Sequence, residues 1–470
     1  MVDQAGAFGK LMLHFVRSSR PRFAVPRCLA AVVTTGLATS AAATVAALLL
    51  SASLASAAVG GAALASARSA SGVAKASPAA AGALTASGAS AAPAPATLTQ
   101  SDNKPDPDAL LINIYKDLAN ANLQAAQQKA DKLVEAYPTF RLGQLIRADI
   151  LLMHARPITG FGSGSHASND KLQDLRNEAM VRIKSLRDRP DPDLIPRVLL
   201  QLREDQKYAL VVDTRQARLY VYQNLNGRIK FMTDYYVSHG RFGINKLREG
   251  DQKTPIGVYY ITSRLPKAKL PDFYGSGALP INYPNEWDKI NGRSGSGIWL
   301  HGTPTNNYSR PPLASDGCVV LTNPDLEKLL GSIEIGKTPV IIQEQVDFVN
   351  RTRWEAERAM ANKLLESWRH DTESKDLSKL LTHYSNRFKS SQGENLNTWF
   401  VKSRQMLSDW PDLAVKLKEV TLFHYPGKDN MLVSTFTQDN FSSKNKNTIR
   451  KRQYWIKEAS GWKIIFEANI

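Results

Sequence analysis

From Leu110 onward, apolar residues recur three and four positions apart: Leu110, Leu111, Ile114 and Leu118, then Leu123, Ala126, Ala130, Leu133, Val134 and Tyr137. This spacing lays an apolar stripe along helix surface as far as Pro138, which cannot continue a helix. A further helix carries Leu142, Leu145, Ile146 and Ile150, and the pair resembles a tetratricopeptide-type hairpin that needs a neighbour to cover its apolar face. The run "TGFGSGSHASN" breaks it from another helix over about 171–187. Near Lys207 the period changes to alternation. "YALVVDTRQARLYVYQNLNGRIKFMTDYYVS" predicts two strands turning at Asn226-Gly227, and "TPIGVYYITS", "GIWLHG" and "TPVIIQEQV" predict more. Between them, 265–296 is too long for a turn and predicts a lid or cleft wall.

After Val346 the pattern turns helical again, with Trp354, Ala361, Leu364, Leu365 and Trp368 on one face and further helices near 377–384 and 396–407. "AVKLKEVTLFHY", "MLVSTFTQ", "RKRQYWIKE" and "WKIIFEANI" then predict an antiparallel meander, so this part is an α+β module. Its Trp399, Trp410, Trp455 and Trp462 are core candidates. The expected organisation is therefore multidomain: residues 1–67 a leader, 68–107 an Ala/Ser/Pro-rich linker, 108–205 helical, 206–346 mainly β, and 347–470 α+β.

Charge and the N-terminus narrow the function. The chain of 470 residues carries 60 Lys and Arg against 43 Asp and Glu, a net +17 that favours polyanions such as nucleic acid, anionic lipid or an acidic wall polymer. Lys10, Arg17, Arg20, Arg22 and Arg27 precede an uncharged stretch from Cys28 to Ala67, the pattern of a signal peptide, or of a membrane anchor if uncleaved. Either way the rest is expected in the periplasm or cell envelope, away from nucleic acid. The membrane is then a partner only through an uncleaved N-terminal segment.

With Cys28 in the leader, Cys318 has no partner for a disulfide, and an unpaired thiol outside the cytoplasm is prone to oxidation. His301 ends the predicted strand "GIWLH", and Cys318 follows seventeen residues later, after a loop long enough to fold back. An imidazole near a thiol takes its proton and later protonates a leaving group, while Gly317 permits a backbone geometry that turns amides toward an oxyanion. The residues alone suggest acyl transfer through a thioester. Against it stand a buried inert cysteine beside a satisfied strand-end histidine, and a metal site of His239, His301 and Cys318, which lacks any CxxC or HxxxH spacing. No cofactor or metal is expected.

"HGTPTNNYSRPPLASDGCVVLTN" resembles the signature of YkuD-type L,D-transpeptidases, and "VSHGRFGINKLREGDQKTPIGVYYIT" resembles the segment that precedes it in that family. The likeness spans about 207–346. It implies a β-sandwich-like catalytic domain with Cys318 as nucleophile, His301 as base, and Ser315, Gly317, Asp316 and the Cys318 amide supporting the oxyanion. Gly302, Arg310 and His239 are weaker candidates for substrate contact, although a surface turn is the plainer expectation for His239. Asp316 stands where many members have histidine, and Val320 where many have arginine; Asp316 is a candidate to orient His301 or to bind a substrate amine. The implied substrate is the peptidoglycan tetrapeptide stem, losing D-alanine and passing its acyl group to an amine. The alternatives are hydrolysis of stems or wall-protein links at the same site, and a non-catalytic wall-binding protein. Residues 347–470 resemble NTF2-like (Cds6-type) domains, which implies a wall-attached protein or envelope partner for that module.

Overall fold

Four helices open the part of the chain that the computed structural model describes, residues 104–470; the expected leader, Cys28 and nearly all of the linker lie outside the described residues. They are α1 (Pro107–Ala119), α2 (Leu123–Ala136), α3 (Arg141–Ala155) and α4 (Asn169–Arg187). The apolar stripe from 110 to 137 is thus divided in two. Ala121 takes φ +59°, and Asn122 restarts the helix by accepting from the Ala125 amide.

The neighbour that the hairpin needs arrives partly through charge. Arg182 on α4, 2% exposed, donates to Asp108 at 2.6 Å and to Glu178 at 3.0 Å, and Asp108 also accepts from Arg218 of the β-rich part at 2.8 Å. Burying these charges is tolerable only because each has a partner, and removing one would leave the others unpaired. The helical layer is therefore fixed to the sheet behind it.

Two short strands, β1 (Ile195–Pro196) and β2 (Leu199–Gln201), lead into β3 (Tyr208–Asp213), β4 (Arg218–Leu225) and β5 (Arg228–Tyr236). Asn226 and Gly227 both have positive φ, as a two-residue hairpin of the twisted type requires. The stretch expected to hold two strands holds three, because Asp213 accepts from the Gln216 amide and Ala217 turns back at φ +49°. The strands β6 (His239–Gly240), β7 (Gly257–Tyr260), β8 (Leu265–Pro266) and β9 (Gly277–Pro280) come next, then helix α5 (Glu286–Ile290) and strand β10 (Trp299–His301). After them come β11 (Leu313–Ser315), β12 (Val319–Val320), helix α6 (Asn323–Leu330), β13 (Pro339–Gln343) and β14 (Phe348–Val349).

One sheet runs β5-β4-β3-β13-β7 and another β12-β10-β9-β8, with β6 and β11 forming a small parallel pair. Leu210, Val212, Leu219 and Val221 of the first sheet share one buried cluster with Leu279, Leu300 and Val319 of the second. This is the sandwich-like packing expected from the family resemblance.

The C-terminal module holds α7 (Arg351–Glu373), α8 (Leu377–Thr382), β15 (Tyr384–Ser390), α9 (Leu396–Ser408), β16 (Ala414–His424), β17 (Met431–Phe441), β18 (Lys446–Glu458) and β19 (Gly461–Asn469). Its sheet order is β15-β19-β18-β17-β16-β2, so its last strand comes from before the catalytic-type domain. Trp455 is buried in its core, whereas Trp399 and Trp410 are half-buried and line a pocket with Trp368 and Tyr384. A second cluster joins the two domains: Trp287 of α5 stacks on Tyr454 at 4.7 Å and meets Tyr425 and Phe466 edge-on, while Glu286 pairs with Arg452 at 2.6 Å.

Candidate active site

The register of two short strands decides which side chains meet. β10 and β12 are parallel neighbours in which Leu300 pairs with Val319 and His301 with Val320. Leu300 and Val319 both enter the hydrophobic cluster, so by alternation Trp299 and His301 face the other side together with Val320 and Cys318. There Cys318, half-buried, donates from Sγ to the Gly297 carbonyl at 3.3 Å. His301 thus ends β10 and Cys318 directly precedes its neighbour β12, which places the two sequence-predicted residues on one face of adjoining segments.

His301 is 1% exposed, with its ring beside Phe273 and Tyr274. Its Nδ1 lies 2.7 Å from the Gly302 carbonyl, which can only accept, so Nδ1 carries the hydrogen and Nε2 keeps a lone pair. Burial lowers the imidazole pKa to about 4, against the pull of the Gly302 carbonyl and with help from the Arg310 charge. Burial likewise raises the Cys318 thiol; the Trp299 amide, Arg310 and Lys246 oppose this, and Asp316 adds to it. Burial thus favours the uncharged form of both the thiol and the imidazole.

The turn that presents Cys318 is wound around Ser315. Ser315 Oγ donates to the Cys318 carbonyl at 2.6 Å and accepts from the Gly317 amide at 3.2 Å. Gly317 has φ +123°, and a Cβ there would lie 2.7 Å from the Lys253 carbonyl oxygen, so both the backbone shape and the space demand glycine. Thr254 closes the turn from behind, donating to the Gly317 carbonyl and accepting from the Gly240 amide, both at 2.9 Å.

The other predicted residues divide. Asp316 is exposed and accepts from Gln252 at 2.9 Å; the group that orients His301 is the Gly302 carbonyl instead. Gly302 packs where a Cβ would meet Asn323 Oδ1 at 2.1 Å. Arg310 lies over the Phe273 ring at 4.4 Å, close enough to act electrostatically on both Cys318 and His301. His239 is not the surface histidine of a turn: it is 5% exposed, its Nε2 bonds to the Thr214 carbonyl at 2.9 Å, and burial lowers its pKa to about 4. Strand pairing with β11 draws it inward. Among the described residues no group of His, Cys, Asp and Glu is placed to hold a metal ion, and no helix is long and apolar enough to cross a membrane.

Sequence reading missed Asn323, whose Oδ1 accepts from the Ser276 and Thr303 amides and whose Nδ2 donates to the Thr303 carbonyl at 2.8 Å. It ties the His-Gly-Thr segment to the cleft wall. Its position just after "VVLT", at a helix start capped by Thr322, was the available signal. The 265–296 stretch, expected as a lid or wall, supplies Phe273 and Tyr274 against His301.

Residues 207–342 match the family described as the YkuD L,D-transpeptidase catalytic domain. The solved structure of Bd1075 from Bdellovibrio bacteriovorus is 31% identical, aligning over 59% of this chain and 98% of its own with a TM-score of 0.52. The chain belongs to the YkuD L,D-transpeptidase family. In this YkuD-family chain residues 360–468 match the Cds6 C-terminal NTF2-like domain. The helical-cell-shape-determining protein Pgp2 of Campylobacter jejuni shares the fold at 23% identity, over 58% of this chain and 95% of its own, with a TM-score of 0.50. Comparison with curated proteins gives no match. The YkuD assignment makes the chain a cell-wall enzyme of the L,D-transpeptidase type.

Proposed function

We propose that the enzyme cleaves peptidoglycan tetrapeptide stems through a thioester on Cys318, with His301 as general base and acid. The supporting observation is the shared face of the two residues, with His301 Nδ1 engaged by the Gly302 carbonyl so that Nε2 is the free nitrogen. In this reading Nε2 takes the thiol proton as sulfur attacks the carbonyl on the L-centre of the third stem residue. The S–C bond forms, the C–N bond to D-alanine breaks, and the proton leaves on the D-alanine amine. An amine then attacks the thioester, restores the thiol and completes a crosslink or attaches a wall protein; water in its place gives hydrolysis. The basic leader pattern supports export to the envelope, and Pgp2's description supports a part in cell shape.

The test incubates the protein and its Cys318→Ser form with disaccharide-tetrapeptide and weighs the products. Crosslinked dimer is the expected product and free tripeptide marks hydrolysis; in either case the Ser variant loses at least a thousandfold in rate, about 4 kcal/mol of barrier. A carbapenem is expected to add its mass to the wild type and not to the variant. No product and no adduct would leave only wall binding.

A further inference from the structure

The helical layer lies outside both matched family segments, 207–342 and 360–468, and carries neither His301 nor Cys318. One of its contacts with the catalytic domain falls on the loop 302–312, which joins the end of β10 at His301 to β11 and the Cys318 turn. In that loop the Tyr308 amide donates to the Thr139 carbonyl at 3.2 Å, and its ring lies against Tyr137 and Phe140, with centroids 4.7 and 5.0 Å away. The next residue, Ser309, is buried and donates from Oγ to Glu178 of α4 at 2.6 Å. Glu178 in turn accepts from Arg182, whose guanidinium lies 3.7 Å from the centre of the Tyr236 ring, and the Tyr236 hydroxyl donates to the Arg310 carbonyl at 2.8 Å. Three consecutive loop residues are thus held from the helical side.

The remaining polar group of the Tyr308 backbone points back along the loop. Its carbonyl accepts from Thr303 Oγ1 at 3.2 Å, and Thr303 is 1% exposed. Thr303 directly follows Gly302, whose carbonyl lies 2.7 Å from His301 Nδ1. That carbonyl and the Thr303 amide belong to one planar peptide group, so whatever holds the amide also aims the oxygen. Asn323 holds it from the main-chain side, accepting from the Thr303 amide at 3.2 Å and donating to the Thr303 carbonyl at 2.8 Å. Tyr308 holds it from the side-chain side. If this peptide tilts, Nδ1 loses its acceptor, the hydrogen is free to sit on Nε2, and an imidazole in that tautomer cannot take the thiol proton.

We infer that the helical layer is a positioning element for the general base: through Tyr308 and the Thr303 hydroxyl it fixes the Gly302–Thr303 peptide, and with it the tautomer and ring angle of His301. Thr303 is the positioning residue, since it alone joins the helix-held loop to the peptide that His301 reads. The inference rests on the proposed part of His301 in cleavage at Cys318. It gives the helices a role in the rate of the reaction without any contact with substrate.

The test uses the full chain and two readouts: the rate of carbapenem acylation, followed by intact mass, and the His301 tautomer, from isotope-edited NMR of the imidazole nitrogens assigned with a His301→Asn variant. Thr303→Val keeps the side-chain shape and removes the donor. Its saturating acylation rate is expected to fall roughly ten- to a hundredfold, the scale on which a small misplacement of a reacting group acts, with the half-saturating concentration unchanged. In the same variant the His301 signal moves from the Nδ1–H tautomer toward a mixture of the two. Thr303→Ser restores the donor, the rate and the signal. Tyr308→Ala reproduces the fall from the helical side, and Ser309→Ala, which removes a single bond to the helices, gives a severalfold fall should the Tyr308 variant not fold. An unchanged rate in Thr303→Val, or a lower rate with the tautomer unmoved and no rescue by serine, overturns the inference. Failure of the proposed cleavage reads differently: the wild type is neither acylated nor active on the stem peptide, while the tautomer signal still reports whether Thr303 positions His301.

Discussion

The burial of His301 sets the protonation chemistry of the site. Burial lowers its pKa to about 4 and raises the Cys318 thiol, and both shifts disfavour a thiolate–imidazolium pair in the resting enzyme. Cys318 alkylation by iodoacetamide is therefore expected to accelerate steadily toward alkaline pH, beyond the ordinary thiol range. A plateau between about pH 5 and 7, the sign of a preformed ion pair, would contradict this. The same depression makes His301 and His239 acid-labile elements of stability: both are neutral when folded and have an unfolded pKa near 6.5. Their contribution is complete above about pH 6.5 and fades toward pH 4, at most about 1.4 kcal/mol per unit for each. Asp213 and Asp288, raised to about 6 by burial, act in the opposite sense, gaining stability as pH falls from about 6 toward their unfolded value near 4. A shallow net dependence between about pH 4 and 6 in urea titrations follows; a steep acid loss there would mean that the carboxylates are not held as described.

Among short elements, the 315–318 turn depends on groups from three other segments. Thr254→Val keeps the shape of the side chain but leaves the buried Gly240 amide and Gly317 carbonyl without their partner. The expected cost is about 1–3 kcal/mol in urea denaturation, with slower carbapenem acylation. Gly317→Ala adds a Cβ against the Lys253 carbonyl at φ +123°, and a stability loss of about 1–3 kcal/mol with loss of acylation is expected. Much of this scale was legible where chemistry is local. Asn226-Gly227 announced its hairpin, the apolar stripes announced the helices, and the His-Gly and Ser-Asp-Gly-Cys segments announced the family. The turn at 214–217 was hidden because Thr214, Arg215, Gln216 and Ala217 carry no Gly or Pro signal, and the Asp213 side chain closes it. β15 was hidden behind a helical pattern ending at Tyr384, and its pairing with β19 depends on residues some eighty positions away. The burial of His239 and the bond from Ser309 to Glu178 were equally out of reach, since both arise from contacts between distant segments.

For the whole molecule, the junction at Trp287 couples the catalytic domain to the NTF2-like one. Trp287, Ile341, Phe423 and Tyr454 belong to one continuous buried cluster, so the two domains are expected to unfold in a single transition. Trp287→Ala should cost about 3–5 kcal/mol and either lower the common midpoint or resolve two transitions in calorimetry. Two independent transitions in the wild type would show that the stacking on Tyr454 carries little weight.

The short strand β2 adds a constraint on how this protein is made. It leaves the ribosome early, yet its partner β16 is translated roughly two hundred residues later. Until then Leu199 and Leu200 must wait without a sheet to join. A gene fragment cut cleanly between the enzyme and its C-terminal neighbour would therefore yield two products that are each missing something: one with an orphaned sticky edge, the other with an unguarded sheet margin. Inheritance of the two as a fused pair, with no free exchange between them, is the outcome this threading favours.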